Sequence, residues 1–115
     1  MMASTLAQAE APFLANLHHT SDADEHAACL RDWRQCYDQL SAGSFAGEFE
    51  EFCFDNVQLF REHLNQSIHE TGRPWEGSHT FGVATAVEGS GWFCGDPFDL
   101  NTIIALSGNQ ALDFR

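Results

Sequence analysis

From Ser44 onward the chain alternates. In "FAGEFEEFCF", Phe45, Gly47 and Phe49 face one way while Ala46, Glu48 and Glu50 face the other, the period of a half-buried strand. The alternation slips at Glu51–Phe52, because Phe52 and Phe54 carry the apolar face onward from the opposite parity. A bulge or bend is expected there. Asp55 and Asn56 are turn residues, so a second strand should begin near Val57 and run antiparallel to the first.

The rest of the chain repeats this rhythm. "GRPWEGSH" is a loop punctuated by Gly and Pro, "TFGVATAV" a strand, "EGSG" a tight turn, and "GWFCG" a short strand ended by Gly95, Asp96 and Pro97. "TIIALSGNQALDF" adds an apolar run, a Ser-Gly-Asn turn and the start of another strand. Short strands with turns roughly every ten residues predict a β-barrel or sandwich.

The stretch "QLFREHLNQSIHETG" offers a competing reading. Leu59, Phe60, Leu64 and Ile68 form a fair amphipathic helix pattern. The upstream turn favours two β segments, or one long bent one, instead. As a strand, Arg61, His63 and Asn65 share one face and Phe60, Glu62 and Leu64 the other.

Ahead of the strands, residues 1–20 read as a flexible lead, and residues 21–115 as one domain. "TSDADEHAACLRDWRQCYDQLSAG" places Ser21 as a cap, acids in the first turn, and Ala27, Leu30, Trp33, Tyr37 and Leu40 at helical spacing up to Gly43. One amphipathic helix or two short turns are expected. The sequence closes on "LDFR", within a strand, so the domain is expected to be incomplete on its C-terminal side.

Seventeen acids oppose five arginines and no lysine, a formal charge of −12. Phosphate neutralisation needs clustered cations, so these residues are not expected to bind DNA directly. No basic leader and no apolar run of about 18 residues is visible, which reads as a cytoplasmic protein without membrane contact. Cys29, Cys36, Cys53 and Cys94 make no CxxC pair and should be free thiols.

For chemistry, a cupin-type metal site needs two His one residue apart on a strand and a nearby Glu. Here His63, His69, His79 and Glu70 lack that spacing. No GxSxG elbow exists, and Ser90 is accounted for by its turn. No catalytic residue and no cofactor is therefore expected. Arg61, His63, Asn65, Trp75, His79 and Trp92 are the candidate polar anchors and aromatic walls for a small ligand.

"DWRQCYDQLSAGSFAGEFEEFCFDNVQLFREHLNQSIHETG" resembles the amino-terminal sensor domain of AraC-type transcription regulators, in the subgroup that includes regulators of ethanolamine utilisation. Tyr37, Gln39, Leu40, Ser41, Gly43, Phe45 and Gly47 match its pattern "Y-x-Q-L-S-x-G-x-F-x-G", and Gln58 to Glu62 its "L-Q-L-F-R-E". The resemblance spans about Ala23 to Arg115. It implies a cupin-like double-stranded β-helix, mainly β and preceded by a short helical segment. It also implies a small-molecule effector, a homodimer and no enzymatic activity. DNA would be contacted only through a helix-turn-helix domain absent from this chain. The alternatives are a stand-alone cupin-like metal enzyme using His63, His69, His79 and Glu70, and an interaction module without a ligand.

Overall fold

The computed structural model describes residues 13–115, so expectations for residues 1–12 lie outside the described residues. Its strands are β1 (Phe13–Thr20), β2 (Arg34–Gln39), β3 (Gly47–Phe54), β4 (Val57–Leu64), β5 (Ile68–Arg73), β6 (His79–Gly82), β7 (Gly91–Phe93), β8 (Asp96–Phe98), β9 (Ile104–Ser107) and β10 (Leu112–Phe114). One short helix, α1 (Ala23–Ala27), lies between β1 and β2. The described chain is thus mainly β, and every strand pairing is antiparallel. Among the described residues no helix is long and apolar enough to cross a membrane.

Three sheets result, with strand orders β1-β3-β4, β2-β5-β10-β7-β8 and β6-β9. The β3–β4 hairpin is regular from Gly47↔Leu64 to Phe54↔Val57, closed at Asp55, whose φ is 53°. A short Asp tolerates that left-handed backbone better than a branched residue would. No bulge interrupts the register at Glu51–Phe52. The parity is instead kept by burying Glu51 beside Gly47 and Phe49 and leaving Phe52 on the other face.

Two further expectations are corrected upstream. The lead is partly a strand: β1 pairs with β3 over its whole length, from Phe13↔Phe54 to Thr20↔Gly47. The helix is short, and Asp22, rather than Ser21, caps it, accepting from the Glu25 N–H at 2.7 Å. Asp32, with φ 63°, then turns the chain into β2, where Tyr37 points inward and Cys36 and Asp38 point out. Ala27, Leu30 and Tyr37 are buried as their spacing suggested, but from a helix, a turn and a strand, while Leu40 is exposed.

Downstream, "TFGVATAV" is strand only through Gly82. Pro97, expected to end a strand, lies inside β8. That strand is an edge of its sheet, where a missing N–H can face solvent without breaking a ladder.

The central packing lies between the sheets. Tyr37 and Ile68 of the five-stranded sheet meet Ala27 of α1, Phe45 of the β2–β3 loop and Leu64 of β4. Phe49 of β3 is fully buried, 5.8 Å from the Phe60 ring. Aromatic groups at such distances add to area burial.

Candidate functional site

The same interior holds polar groups. Alternation on β4 sends Gln58, Phe60, Glu62 and Leu64 inward and Leu59, Arg61 and His63 out. Glu62 therefore projects into the junction between the sheets. There it accepts from Tyr37 Oη at 3.0 Å on both carboxylate oxygens and lies 3.3 Å from His26 Nε2. His26 Nδ1 is 2.7 Å from Thr20 Oγ1. With its proton on Nε2, the imidazole donates to Glu62 and accepts from Thr20, so both ring nitrogens are used.

His26 is completely buried, enclosed by the rings of Tyr37, Phe45 and Phe49 at 5.6, 5.9 and 6.1 Å. Gly47 makes room for it. A Cβ there would stand 2.5 Å from His26 Nδ1 and 2.6 Å from Thr20 Oγ1. A strand glycine normally costs stability, about 0.5–1 kcal/mol against Ala. Here the crowding outweighs that gain, so Gly47→Ala is expected to destabilise by about 1–3 kcal/mol in urea unfolding.

Glu70 of β5 faces Tyr37 across the β2–β5 ladder and completes the cluster. Its carboxyl is raised to about 8, first by burial and then by the charge of Glu62, with the Tyr37 hydrogen bond opposing. Burial and the same two carboxylates hold the Tyr37 phenol well above its usual range. A second polar chain runs alongside: Trp33 donates to Gln58 at 2.9 Å, and Gln58 and Asn16 donate to the buried Glu51 at 2.5 and 3.4 Å.

Thr20, His26 and Glu62 repeat the hydroxyl, imidazole and carboxylate order of an acyl-transfer relay. The imidazole has no exposed surface and the hydroxyl almost none, so this relay offers a substrate no approach. Its visible work is to tie β1, α1, β2 and β4 together. Burial, aided by nearby carboxylates, shifts the thiol pKa values of Cys29 and Cys53 upward.

Beside the cluster an open cleft of about 640 Å³ is lined by Asp22, Ala23, Asp24, Glu25, Tyr37, Asp38 and Gln39. It is acidic, and its wall includes the buried Tyr37. Among the described residues no group of three or more His, Cys, Asp or Glu could hold a metal ion.

The six residues picked from sequence lie on β4, the loop after it, the β5–β6 connection, β6 and β7. Arg61 is on the outer face of β4, 2.7 Å from Glu50, and His63 is exposed two positions on. Asn65 accepts from Ala46 N–H and donates to the Ser44 carbonyl, pinning the β2–β3 loop. Trp75 donates to the Arg31 carbonyl at 2.8 Å, His79 starts β6, and Trp92 is half-exposed on β7. His69 meets Asp113 at 2.9 Å on the sheet face opposite Glu70.

Sequence reasoning missed His26, Tyr37, Glu62 and Glu70 as a unit. One signal was available: Glu62 alternates with Phe60 and Leu64, which places a carboxylate on the core-facing side. Compared with known proteins, the chain matches no protein-family model and no solved structure.

Proposed function

We propose that this chain is the ligand-sensing and dimerising domain of an AraC-type transcription regulator, a cupin-like β scaffold that binds a small effector without transforming it. The observation that carries the reading is that its two family-like motifs meet in space. Tyr37 of the first donates to Glu62 of the second. Gln39 donates to the Ser41 and Gly43 carbonyls, and Ser41 donates to Gln66 just beyond β4. Phe45 is buried against Tyr37, and Gly47 admits His26.

The cleft opens on Tyr37 and Gln39, so an occupant would press on the residues that join the sheets. Differential binding to two arrangements of that junction is what a sensor requires. Dimerisation and DNA contact, through a domain outside these residues, come with the same resemblance.

A thermal-shift screen of small amines, amino acids and sugars tests it. An effector at a hundredfold its dissociation constant stabilises the folded state by about 2.7 kcal/mol, a rise of several degrees in Tm. Asp38→Asn, in the cleft wall, should abolish the rise. A flat response to every compound class counts against sensing and favours an interaction module.

A further inference from the structure

The three-stranded sheet β1-β3-β4 turns one face to the core and the other outward. With β3 in the middle, the register fixes the outward rows: Ala15, Phe52 and Leu59 stand side by side, then Leu17, Glu50 and Arg61, then His19, Glu48 and His63. Phe54 and Val57 begin the face at the hairpin end. The face is therefore divided. Its hairpin half is apolar, and in its polar half Arg61 lies 2.7 Å from Glu50 and His19 3.7 Å from Glu48. On the apolar side Leu17 is 56% exposed, Leu59 63%, Phe54 45% and Val57 44%. Exposed apolar residues are ordinary when scattered, but four on one sheet face mark an interaction surface.

We propose that this face packs against the same face of a second copy of the chain, across a two-fold axis that runs crosswise to the strands through the apolar half. This assigns a surface to the dimerisation in the reading above and rests on that part of it alone, with no effector required. Charge selects the occupant. Seventeen acids against five arginines make most meetings of two copies repulsive. Ala15, Leu17, Phe52, Phe54, Val57 and Leu59 carry no charge, so two copies can meet here without that cost. A basic partner would be drawn to the acids elsewhere on the surface instead.

The two-fold also sorts the polar groups. It lays the apolar rows over one another and sends the two polar halves to opposite ends, so the Glu48 and Glu50 carboxylates of the copies do not meet. The same rotation brings the hairpin tip of each copy, with Asp55, toward the Arg61 row of the other, a contact of opposite sign. Area sets the strength. Strands of eight residues, three abreast, make a footprint of roughly 26 by 14 Å. Stable interfaces bury about 800 Å² on each partner, and this footprint falls short of that, so the dimer is expected to dissociate in the micromolar range.

Sedimentation equilibrium on the whole chain, with no effector added, is the test. The wild type should pass from monomer to dimer as concentration rises through the micromolar range, and Leu59→Arg should weaken association by about tenfold or more. The new arginine makes the chain less acidic, so general repulsion falls and the loss belongs to the face. Phe81→Arg, at a comparably exposed apolar site on β6, should dimerise like the wild type. If Leu59→Arg does not fold, isotope-filtered NMR on mixed labelled and unlabelled wild type reads the same contact. Cross-peaks between Leu59 methyls of one copy and Val57 methyls of the other support the face, and their absence in a dimeric sample overturns it. A dimer that survives Leu59→Arg overturns the face and leaves dimerisation standing. A monomer at every concentration overturns both, the occupant then being a different protein or another segment of this chain.

Discussion

Phe49→Ala is expected to lower the unfolding free energy by about 3–5 kcal/mol, read as a drop in urea midpoint at unchanged slope. Its side chain has no exposed surface, and its ring lies 5.8 Å from Phe60, 6.1 Å from His26 and 6.4 Å from His18. The hairpin and β1 fix the backbone on both sides of it, so the cavity can collapse only partly. Phe81, 73% exposed on β6, is the control. Truncating it should change stability by less than about 0.5 kcal/mol. If the two substitutions cost the same, the core is not where the structure puts it.

Glu62→Ala should cost about 2–4 kcal/mol, because it strands two buried donors instead of merely deleting a contact. Tyr37 loses the acceptor of its hydroxyl, and His26 loses its partner at Nε2 while Thr20 still holds Nδ1. Glu62→Gln should cost less, since the amide oxygen still accepts from one of them. The two variants therefore separate hydrogen bonding from bulk in the same denaturation series. Equal losses would show that Glu62 acts by filling space.

The β3–β4 hairpin was legible because local rules coincide there: alternating residues, then Asp55 and Asn56, then a second alternating run starting at Val57. The same rules misread Glu51. Buried carboxylates are rare, so an acid at a core-facing position looks like a change of parity when the strand is in fact continuous. Its cause is remote, in Gln58 and Asn16, which bind it. β1 escaped notice for a related reason. An edge strand with an exposed Leu17, His18 and His19 has no apolar face to announce it, and its pairing is written in β3.

The candidate site was less legible than the fold. Its members come from α1, β2, β4 and β5, so no window of sequence shows them together. Arg61 and His63 drew attention as polar residues on a common face, and that face is the outer one. Glu62 between them looked ordinary. Buried function is hidden where alternation is read only for its apolar members.

The strand order β2-β5-β10-β7-β8 puts the three residues of β10 in the middle of its sheet. A ribosome delivers Leu112–Phe114 after every other strand of this sequence. Until they emerge, β5 and the β7–β8 hairpin each wait with an open edge, and the sheet is two fragments. Chain growth, and not local strand formation, then sets the earliest moment at which this half of the molecule can assemble.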